Sequence, residues 1–155
     1  MPAGADNPGV VARPPLIYLG AFLIVLVCRR FWPMPIDAEG RVLWPGVALV
    51  ALAIGIAIWG RRTMAAAGTN INPALPAKTI VSSGPFRFSR NPLYLSLTLM
   101  YLGLTVAVNT WWGFVVLIPL VIVMHAGVVL REERYLEKKF GEPYRQYRAR
   151  VRRYL

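Results

Sequence analysis

Residues 91–130 read NPLYLSLTLMYLGLTVAVNTWWGFVVLIPLVIVMHAGVVL, a run of 40 residues in which no side chain carries a formal charge. A membrane-spanning helix needs about 20 predominantly apolar residues, so the run predicts two spans joined by a turn at Asn109 and Thr110. A hairpin that crosses the membrane and returns brings its two ends to the same side. The sequence therefore predicts that residues 90–94 and residues 132–133 meet at one water interface.

The whole chain has the composition of a membrane protein. Apolar residues make up 56% of its 155 residues and the mean hydropathy is +0.47, whereas soluble domains contain roughly 45–50% apolar residues. Runs without charge mark four candidate spans, at 14–28, 42–60, 91–108 and 111–130. We expect an all-α fold: a polytopic membrane protein with about four transmembrane helices and C-terminal cytoplasmic or interfacial helices.

The chain is expected to form a single domain, residues 1–155. Two N-terminal spans occupy residues 1–60, a cytoplasmic loop residues 61–90, the transmembrane hairpin residues 91–130 and the cytoplasmic helices residues 131–155. The first span is short, so a cleaved signal peptide is the alternative for it. Only Arg13 precedes its apolar run as a basic residue, and no small-x-small cleavage site follows. We therefore expect the span to be retained, behind a loose tail at residues 1–13.

Basic residues are concentrated in two regions that the hairpin places together. Of the 18 Lys and Arg residues, nine follow position 130 and five lie in residues 61–90. The positive-inside rule puts both regions, and both termini, in the cytoplasm; Arg29, Arg30 and Arg41 fall on the opposite side. Anionic lipid headgroups account for the net charge of +11 better than nucleic acid does. We expect membrane lipids as partners, with neither nucleic acid nor an obligate protein partner.

The loop and the segment after the hairpin carry turn and helix signals. Residues 61–90 form a polar segment with several Pro and Gly turns, and loops this long are usually functional or disordered. Residues 78–82 are mostly β-branched and are expected to lie extended, offering backbone donors and acceptors to a ligand. Pro92 predicts a helix start, Gly141 a helix end and Pro143 the start of a last helix that lies against headgroups or the protein's own cytoplasmic rim.

Motifs on both sides of the hairpin carry a family resemblance. SGPFRFSRNPLY stands at 83–94, EERYL at 132–136 and FGEPYRQYRARV at 140–151. In this order they resemble the isoprenylcysteine carboxyl methyltransferase family, part of a wider group of integral-membrane methyltransferases that includes phospholipid N-methylating enzymes. The resemblance covers over half of the chain, and the paired motifs are more specific than any one of them.

The resemblance implies S-adenosylmethionine as methyl donor, in a cytoplasm-facing pocket formed by the loop, the hairpin ends and the C-terminal helices. A carboxylate suits the ammonium group or the ribose hydroxyls of this cofactor, and Arg90 would pair with its carboxylate. The catalytic candidates are Arg90, Glu133 and His125. Mapped position by position, the cofactor-binding residues are Lys78, Thr79, Ile80, Val81, Phe86, Asn91, Pro92, Leu93, Tyr94 and Glu132.

Two positions depart from the family pattern. Asn91 stands where the prenylcysteine enzymes usually have histidine, and Val128 stands where some of them have a substrate-binding arginine. The second departure weakens the case for a prenylcysteine carboxylate as acceptor. A carboxylate acceptor needs no general base, whereas an amine, thiol or phenol would need one, such as His125 or Glu133.

His125 and Cys28 are the single histidine and the single cysteine of the chain. An ionisable residue inside a membrane span is a functional candidate by default, but a hydrogen bond from His125 to a neighbouring helix is equally consistent with the pattern. One cysteine excludes an intramolecular disulfide and a cysteine metal cluster. We therefore expect no metal site.

Three functions fit these patterns. The first is a membrane methyltransferase whose lipophilic acceptor, an isoprenylcysteine-like carboxylate, a lipid amine or a small thiol, enters laterally between helices. The second is a membrane reductase of the sterol-reductase type that uses NADPH, although no Gly-x-Gly-x-x-Gly motif follows a strand. The third is a non-enzymatic membrane scaffold whose charged ends only anchor it.

Overall fold

The computed structural model describes residues 8–72 and 75–154, and within these ranges the regular structure is entirely helical. A single 3₁₀ turn spans Gly84–Arg87 and a π turn spans His125–Val129. The predicted all-α polytopic fold is confirmed. The six α-helices are α1 (Pro14–Phe31), α2 (Leu43–Ala66), α3 (Pro92–Ala107), α4 (Trp112–Met124), α5 (Leu130–Phe140) and α6 (Glu142–Arg150).

Three helical segments are long and apolar enough to cross a membrane: α1, α2 and the continuous helix Trp112–Phe140, which joins α4, the π turn and α5. The fourth predicted span, α3, is apolar but has only 16 residues, or roughly 24 Å at the rise of an α-helix. It packs closely along α2 because Gly46 and Gly103 let the two backbones touch. A Cβ atom on Gly103 would lie 2.8 Å from the amide nitrogen of Val50.

Two helices extend beyond the charge-free runs that predicted them. Helix α1 continues through Arg29 and Arg30 to Phe31, because basic residues in a last turn interact favourably with the helix dipole. Helix α2 continues past Gly60 to Ala66, through residues 61–66, which are mostly good helix formers. The predicted loop boundary at residue 61 was therefore wrong, because absence of charge marks the apolar part of a helix and not its end.

The core lies between α1, α3 and the helix after the hairpin turn. Tyr18, Val25, Tyr101, Met124 and Val128 are buried there in one cluster. The outer faces stay apolar, as on Ile118 and Ile122, which are 66% and 62% exposed. Exposed apolar faces on long helices are what a lipid environment allows, since lipid chains are as apolar as these side chains.

The two hairpin turns are joined to each other at one end of the molecule. Asn109, with a positive φ of 54°, lies in the predicted turn between α3 and α4. Its Oδ1 accepts hydrogen bonds from the amides of Ile36 and Asp37 at 2.9 and 3.0 Å, and its Nδ2 donates to the carbonyl of Asp37 at 2.7 Å. The turn at Asn109 is thereby confirmed, and it is bound to the connection between α1 and α2.

Residues 8–13, the N-terminal strap, lie across the end of the hairpin. The amide of Val11 donates to the carbonyl of Gly127 in the π turn at 3.2 Å, and Arg131 Nη1 donates to the carbonyl of Gly9 at 2.8 Å. Residues 1–7 of the expected loose tail lie outside the described residues. For residues 8–13 that expectation was wrong, because the strap forms both bonds through its backbone groups, which leave no trace in side-chain identity.

Candidate active site

The two ends of the uncharged run meet at the first turns of α3 and α5. Tyr94 Oη donates a 2.6 Å hydrogen bond to Glu132 Oε2, across 38 residues of sequence. A carboxylate acceptor makes such a bond short and strong. The prediction that the ends of the hairpin face one another is confirmed by this contact.

Glu133 is the centre of a buried ionic cluster beside this contact. Its side chain accepts two hydrogen bonds from Arg153, at 3.0 and 2.9 Å, and its Oε1 lies 3.2 Å from Arg90 Nη2. The side chains of Arg90 and Glu133 are each 8% exposed. Arg90 Nε and Nη1 are buried without a hydrogen-bond partner in the part of the chain that is described. Two strong donors are therefore left without an acceptor among the described residues.

The C-terminal tail, residues 151–154, holds the start of α3. The amide of Arg90 donates to the carbonyl of Arg152 at 2.9 Å, and Asn91 Nδ2 donates to the carbonyl of Arg153 at 3.0 Å. Hydrogen bonding to Glu133 raises the pKa of Arg153, so its guanidinium stays charged. The amide group of Asn91 thus positions the tail as well as bordering the site.

A cleft that is partly open to solvent lies between the loop, the starts of α3 and α5, and α6. The catalytic candidates Arg90 and Glu133 both line it. Six of the ten predicted cofactor-binding residues do so as well: Thr79, Ile80, Val81, Phe86, Asn91 and Glu132. Residues of the loop and of both hairpin ends therefore line one cleft.

The other four predicted cofactor-binding residues, Lys78, Pro92, Leu93 and Tyr94, do not line the cleft. Lys78 is exposed, Pro92 is buried at the helix start, and the side chain of Leu93 lies over Gly60 of α2. Successive helical residues point about 100° apart, so consecutive positions at the start of α3 cannot all face one cleft. Tyr94 reaches the site only through its bond to Glu132.

His125 lies away from the cleft. Its Nδ1 is hydrogen-bonded to Tyr154 Oη at 2.8 Å, and it is not among the residues that line the cleft. The structure therefore does not bring His125 together with the other two catalytic candidates. The expected hydrogen bond exists, but its partner is the C-terminal tail instead of a neighbouring helix.

Helix α6 closes one side of the cleft. Tyr147 Oη donates to the carbonyl of Phe86 at 2.8 Å, and Tyr144 is 2% exposed. Burial raises the pKa of Tyr144 to about 12 and also raises that of Tyr147, so both hydroxyls stay protonated at neutral pH. Of the two surroundings predicted for this helix, it occupies the protein's own rim.

Several lining residues were not predicted. In α6, Tyr144 and Tyr147 are three residues apart, and this spacing predicted only that they share one helical face. The turn formers near residue 69 predicted a turn but no contact with a ligand. Tyr135 was hidden in a charged helix, where its hydroxyl accepts a bond from the loop amide of Ala77 at 3.2 Å. The unpredicted polar lining residues are Thr69, Asn70, Asn72, Tyr135, Tyr144 and Tyr147.

Comparison with known proteins identifies the family. The sequence profile of the phospholipid methyltransferase family matches residues 42–143, from the start of α2 into α6. The chain belongs to this family. This membrane methyltransferase is also similar to an uncharacterized protein of Haemophilus influenzae, 40% identical over 63 residues, which are 41% of this chain and all of that protein. No solved structure matches the present chain.

Val128, which stands where some prenylcysteine enzymes have an arginine, lies in the core of this methyltransferase. Val128 is 0% exposed and belongs to the core cluster with Tyr18 and Val25. It lines neither the cleft nor the groove described below.

Proposed function

We propose that this protein transfers the methyl group of S-adenosylmethionine to a lipophilic acceptor at the membrane. The observation that carries the proposal is Arg90, which lines the cleft and whose buried Nε and Nη1 have no hydrogen-bond partner among the described residues. Leaving a buried donor unsatisfied costs about 1–3 kcal/mol. A carboxylate is a strong acceptor for either of these N–H donors, and S-adenosylmethionine has one.

The remaining lining residues fit the rest of the cofactor. Tyr94 occupies Oε2 of Glu132, which leaves Oε1 to accept from the cofactor's ammonium group or ribose hydroxyls. Ile80, Val81 and Phe86 offer an apolar wall suited to an adenine ring. The cleft therefore offers Arg90 for the carboxylate of the cofactor, Glu132 for its ammonium group and an apolar surface for its adenine ring.

The cofactor supplies an electrophilic methyl group, which is displaced from its sulfonium sulfur to yield S-adenosylhomocysteine. The methyl-to-sulfur bond breaks with its electron pair staying on sulfur, while the acceptor's nucleophile forms the new bond. The protein orients the reactants and excludes water, which lowers the barrier without covalent catalysis. Arg90 and Glu132 would hold the charged end of the donor, Glu133 positions Arg90, and α6 covers the cleft.

A second opening gives the acceptor a route from the bilayer. The lateral groove lies among α1, α2 and α3. It is lined by Arg13, Pro14, Pro15, Leu16, Ala57, Arg61, Ile71, Asn72, Leu93, Tyr94, Ser96 and Leu97, most of which are apolar. Tyr94 lines the groove and bonds Glu132, which lines the cleft. This arrangement supports a lipophilic acceptor that enters sideways while the cofactor arrives from the water. By the charge distribution, that water is the cytoplasm.

Calorimetry in neutral detergent tests the donor. Wild type is expected to bind S-adenosylmethionine, and decarboxylated S-adenosylmethionine roughly tenfold or more weakly. Arg90→Gln is expected to bind the two compounds alike, whereas the matched control Arg87→Gln, an exposed arginine on the same segment, keeps the wild-type preference.

Three results would overturn the assignment. Equal binding of both compounds by wild type removes the role of Arg90. Binding of NADPH in place of S-adenosylmethionine favours a reductase, and binding of neither ligand favours the scaffold.

A further inference from the structure

The C-terminal tail meets both ends of the hairpin through a single residue, Arg153. Its backbone carbonyl accepts hydrogen bonds from Asn91 Nδ2 at 3.0 Å and from Ser89 Oγ at 3.3 Å, both at the start of α3. Its guanidinium donates to Glu133 of α5 at 3.0 and 2.9 Å. Arg153 therefore bridges the two segments between which the cleft lies, although it does not line the cleft itself.

Arg153 and Arg90 share the carboxylate of Glu133 unequally. Arg153 donates from Nε to Oε1 and from Nη2 to Oε2, which is the two-point arrangement that suits a planar guanidinium. Arg90 uses one nitrogen, Nη2, which lies 3.2 Å from Oε1. Because Arg153 occupies both oxygens, Arg90 does not form the same two-point pair, and its Nε and Nη1 keep no acceptor among the described residues.

Burial makes this division of the carboxylate important for ligand binding. The side chains of Arg90 and Glu133 are each 8% exposed, whereas that of Arg153 is 30% exposed. A buried carboxylate that loses a partner is strongly destabilised until another donor replaces it. Without Arg153, Glu133 would lose two hydrogen bonds, and Arg90 would replace them with a two-point pair of its own. That pair uses one of the two donors that are otherwise unpartnered, so fewer remain for a ligand.

We propose that Arg153 is a positioning residue of the donor site: it holds Glu133 and thereby keeps Nε and Nη1 of Arg90 available for the carboxylate of the methyl donor. This inference rests on the proposed function, because it requires a ligand whose carboxylate binds Arg90. It makes the C-terminal tail part of the donor site, since the tail determines how Arg90 is used without lining the cleft.

Selectivity between two donor compounds tests this role. S-adenosylmethionine and its decarboxylated form are titrated calorimetrically into wild type and Arg153→Gln in neutral detergent. The variant's preference for S-adenosylmethionine is expected to fall from roughly tenfold to about twofold or less, as loss of a charge-assisted hydrogen bond requires. Its affinity for the decarboxylated form should be kept. An unchanged preference, or an equal loss of affinity for both compounds, would overturn the proposal, because the second result indicates a purely structural role.

Two further variants separate the geometry of Arg153 from its charge. Arg153→Lys keeps the charge, but an ammonium group cannot bind both oxygens as a planar guanidinium does, so we expect the preference to fall by about threefold or more. The control Arg152→Gln removes a charge from the neighbouring exposed side chain and keeps the carbonyl that bonds the amide of Arg90. It should retain the wild-type preference. A preference retained in Arg153→Lys, or lost equally in Arg152→Gln and Arg153→Gln, would assign the effect to charge alone and contradict the proposal.

The outcomes also separate this inference from the proposed function. Circular dichroism establishes which variants are folded, and if Arg153→Gln is not, Arg153→Lys decides alone. A wild-type preference that the folded Arg153 variants retain overturns the role of Arg153 and leaves the methyl-transfer proposal in place. Wild type that binds neither compound overturns the methyl-transfer proposal and, with it, this inference.

Discussion

The hydroxyl of Tyr94 and the carboxylate of Glu132 are joined by a 2.6 Å hydrogen bond at the boundary between the cleft and the lateral groove. Tyr94 belongs to the groove and Glu132 to the cleft. One hydrogen bond therefore connects the surface proposed for the acceptor with the surface proposed for the donor.

We expect Tyr94→Phe and Glu132→Gln each to weaken binding of S-adenosylmethionine, because each changes the orientation or charge of the carboxylate that faces the donor. The double variant should lose less than the sum of the two, by about 1–2 kcal/mol, since the two side chains share one charge-assisted bond. Calorimetry on the four proteins measures this coupling. Additive losses, or wild-type affinity in both single variants, would contradict the geometry.

Arg153→Gln should destabilise the fold and the donor site together. It removes two hydrogen bonds to the buried carboxylate of Glu133 and leaves only Arg90 to compensate it. We expect a loss of about 1–2 kcal/mol in the free energy of unfolding and weaker donor binding. The matched control is Arg152→Gln. The side chain of Arg152 is exposed, and this residue bonds the amide of Arg90 through its backbone carbonyl, which the substitution keeps. Circular dichroism during denaturation in detergent compares the two, and equal stabilities would reject the role of the tail.

The close pairing of α2 and α3 predicts that Gly103→Ala is harmful. The added Cβ would lie 2.8 Å from the amide nitrogen of Val50 and 2.9 Å from the carbonyl oxygen of Gly46, so the helices must separate. Overpacking of this kind costs about 1–3 kcal/mol. Gly55→Ala is the control on α2, since its Cβ meets nothing within 4 Å. Thermal unfolding in detergent that is unchanged in both variants would show that the helices are not in contact.

The contact of His125 with Tyr154 predicts that His125 is not the general base. Loss of a general base costs roughly a hundredfold or more in rate. His125→Gln keeps a hydrogen-bonding group for the tail, and we expect it to change the rate of methyl incorporation from labelled S-adenosylmethionine into membrane lipid extracts by less than tenfold. Its pH–rate profile should match that of wild type. Disappearance of an ionisation from the profile would restore His125 as a catalytic candidate.

The arrangement of basic residues predicts which face of the membrane holds the cleft. In a Cys28→Ala background, Pro35→Cys should react with an impermeant maleimide in intact cells, because it lies beside the joined turns. Lys78→Cys, on the loop that borders the cleft, should react only after the cells are opened. The reverse labelling pattern would invert the proposed topology.

The hairpin could be predicted from the sequence because membrane thickness sets the length of a span. Forty uncharged residues are long enough for two helices that run out and back, and the contact of Tyr94 with Glu132 follows from that geometry. The sequence did not predict which residues of α3 face the cleft. Residues 91–94 were treated as a unit, whereas the helix turns Asn91 towards the cleft and Leu93 towards α2. Charge and motif spacing identify a site, but packing decides which face of each helix enters it.

The backbone contacts escaped prediction for a different reason. The tail meets α3 through the carbonyls of Arg152 and Arg153, and the strap meets the π turn through the carbonyl of Gly127. Every residue offers a carbonyl group, so no residue type marks these contacts. The unpartnered donors of Arg90 were equally invisible, because they depend on what Glu133 and the surrounding protein leave unbound.

The hydrogen bonds of Asn109 to Ile36 and Asp37 fix one end of the helical bundle and leave the opposite end free of this constraint. They tie the two turns together at one end, while the groove opens where α1 begins, α2 ends and α3 begins. Any spreading of these helices to admit a bulky chain must therefore pivot about the tied end. A displacement too small to disturb the turns would widen the mouth most, beside Arg13 and Arg61.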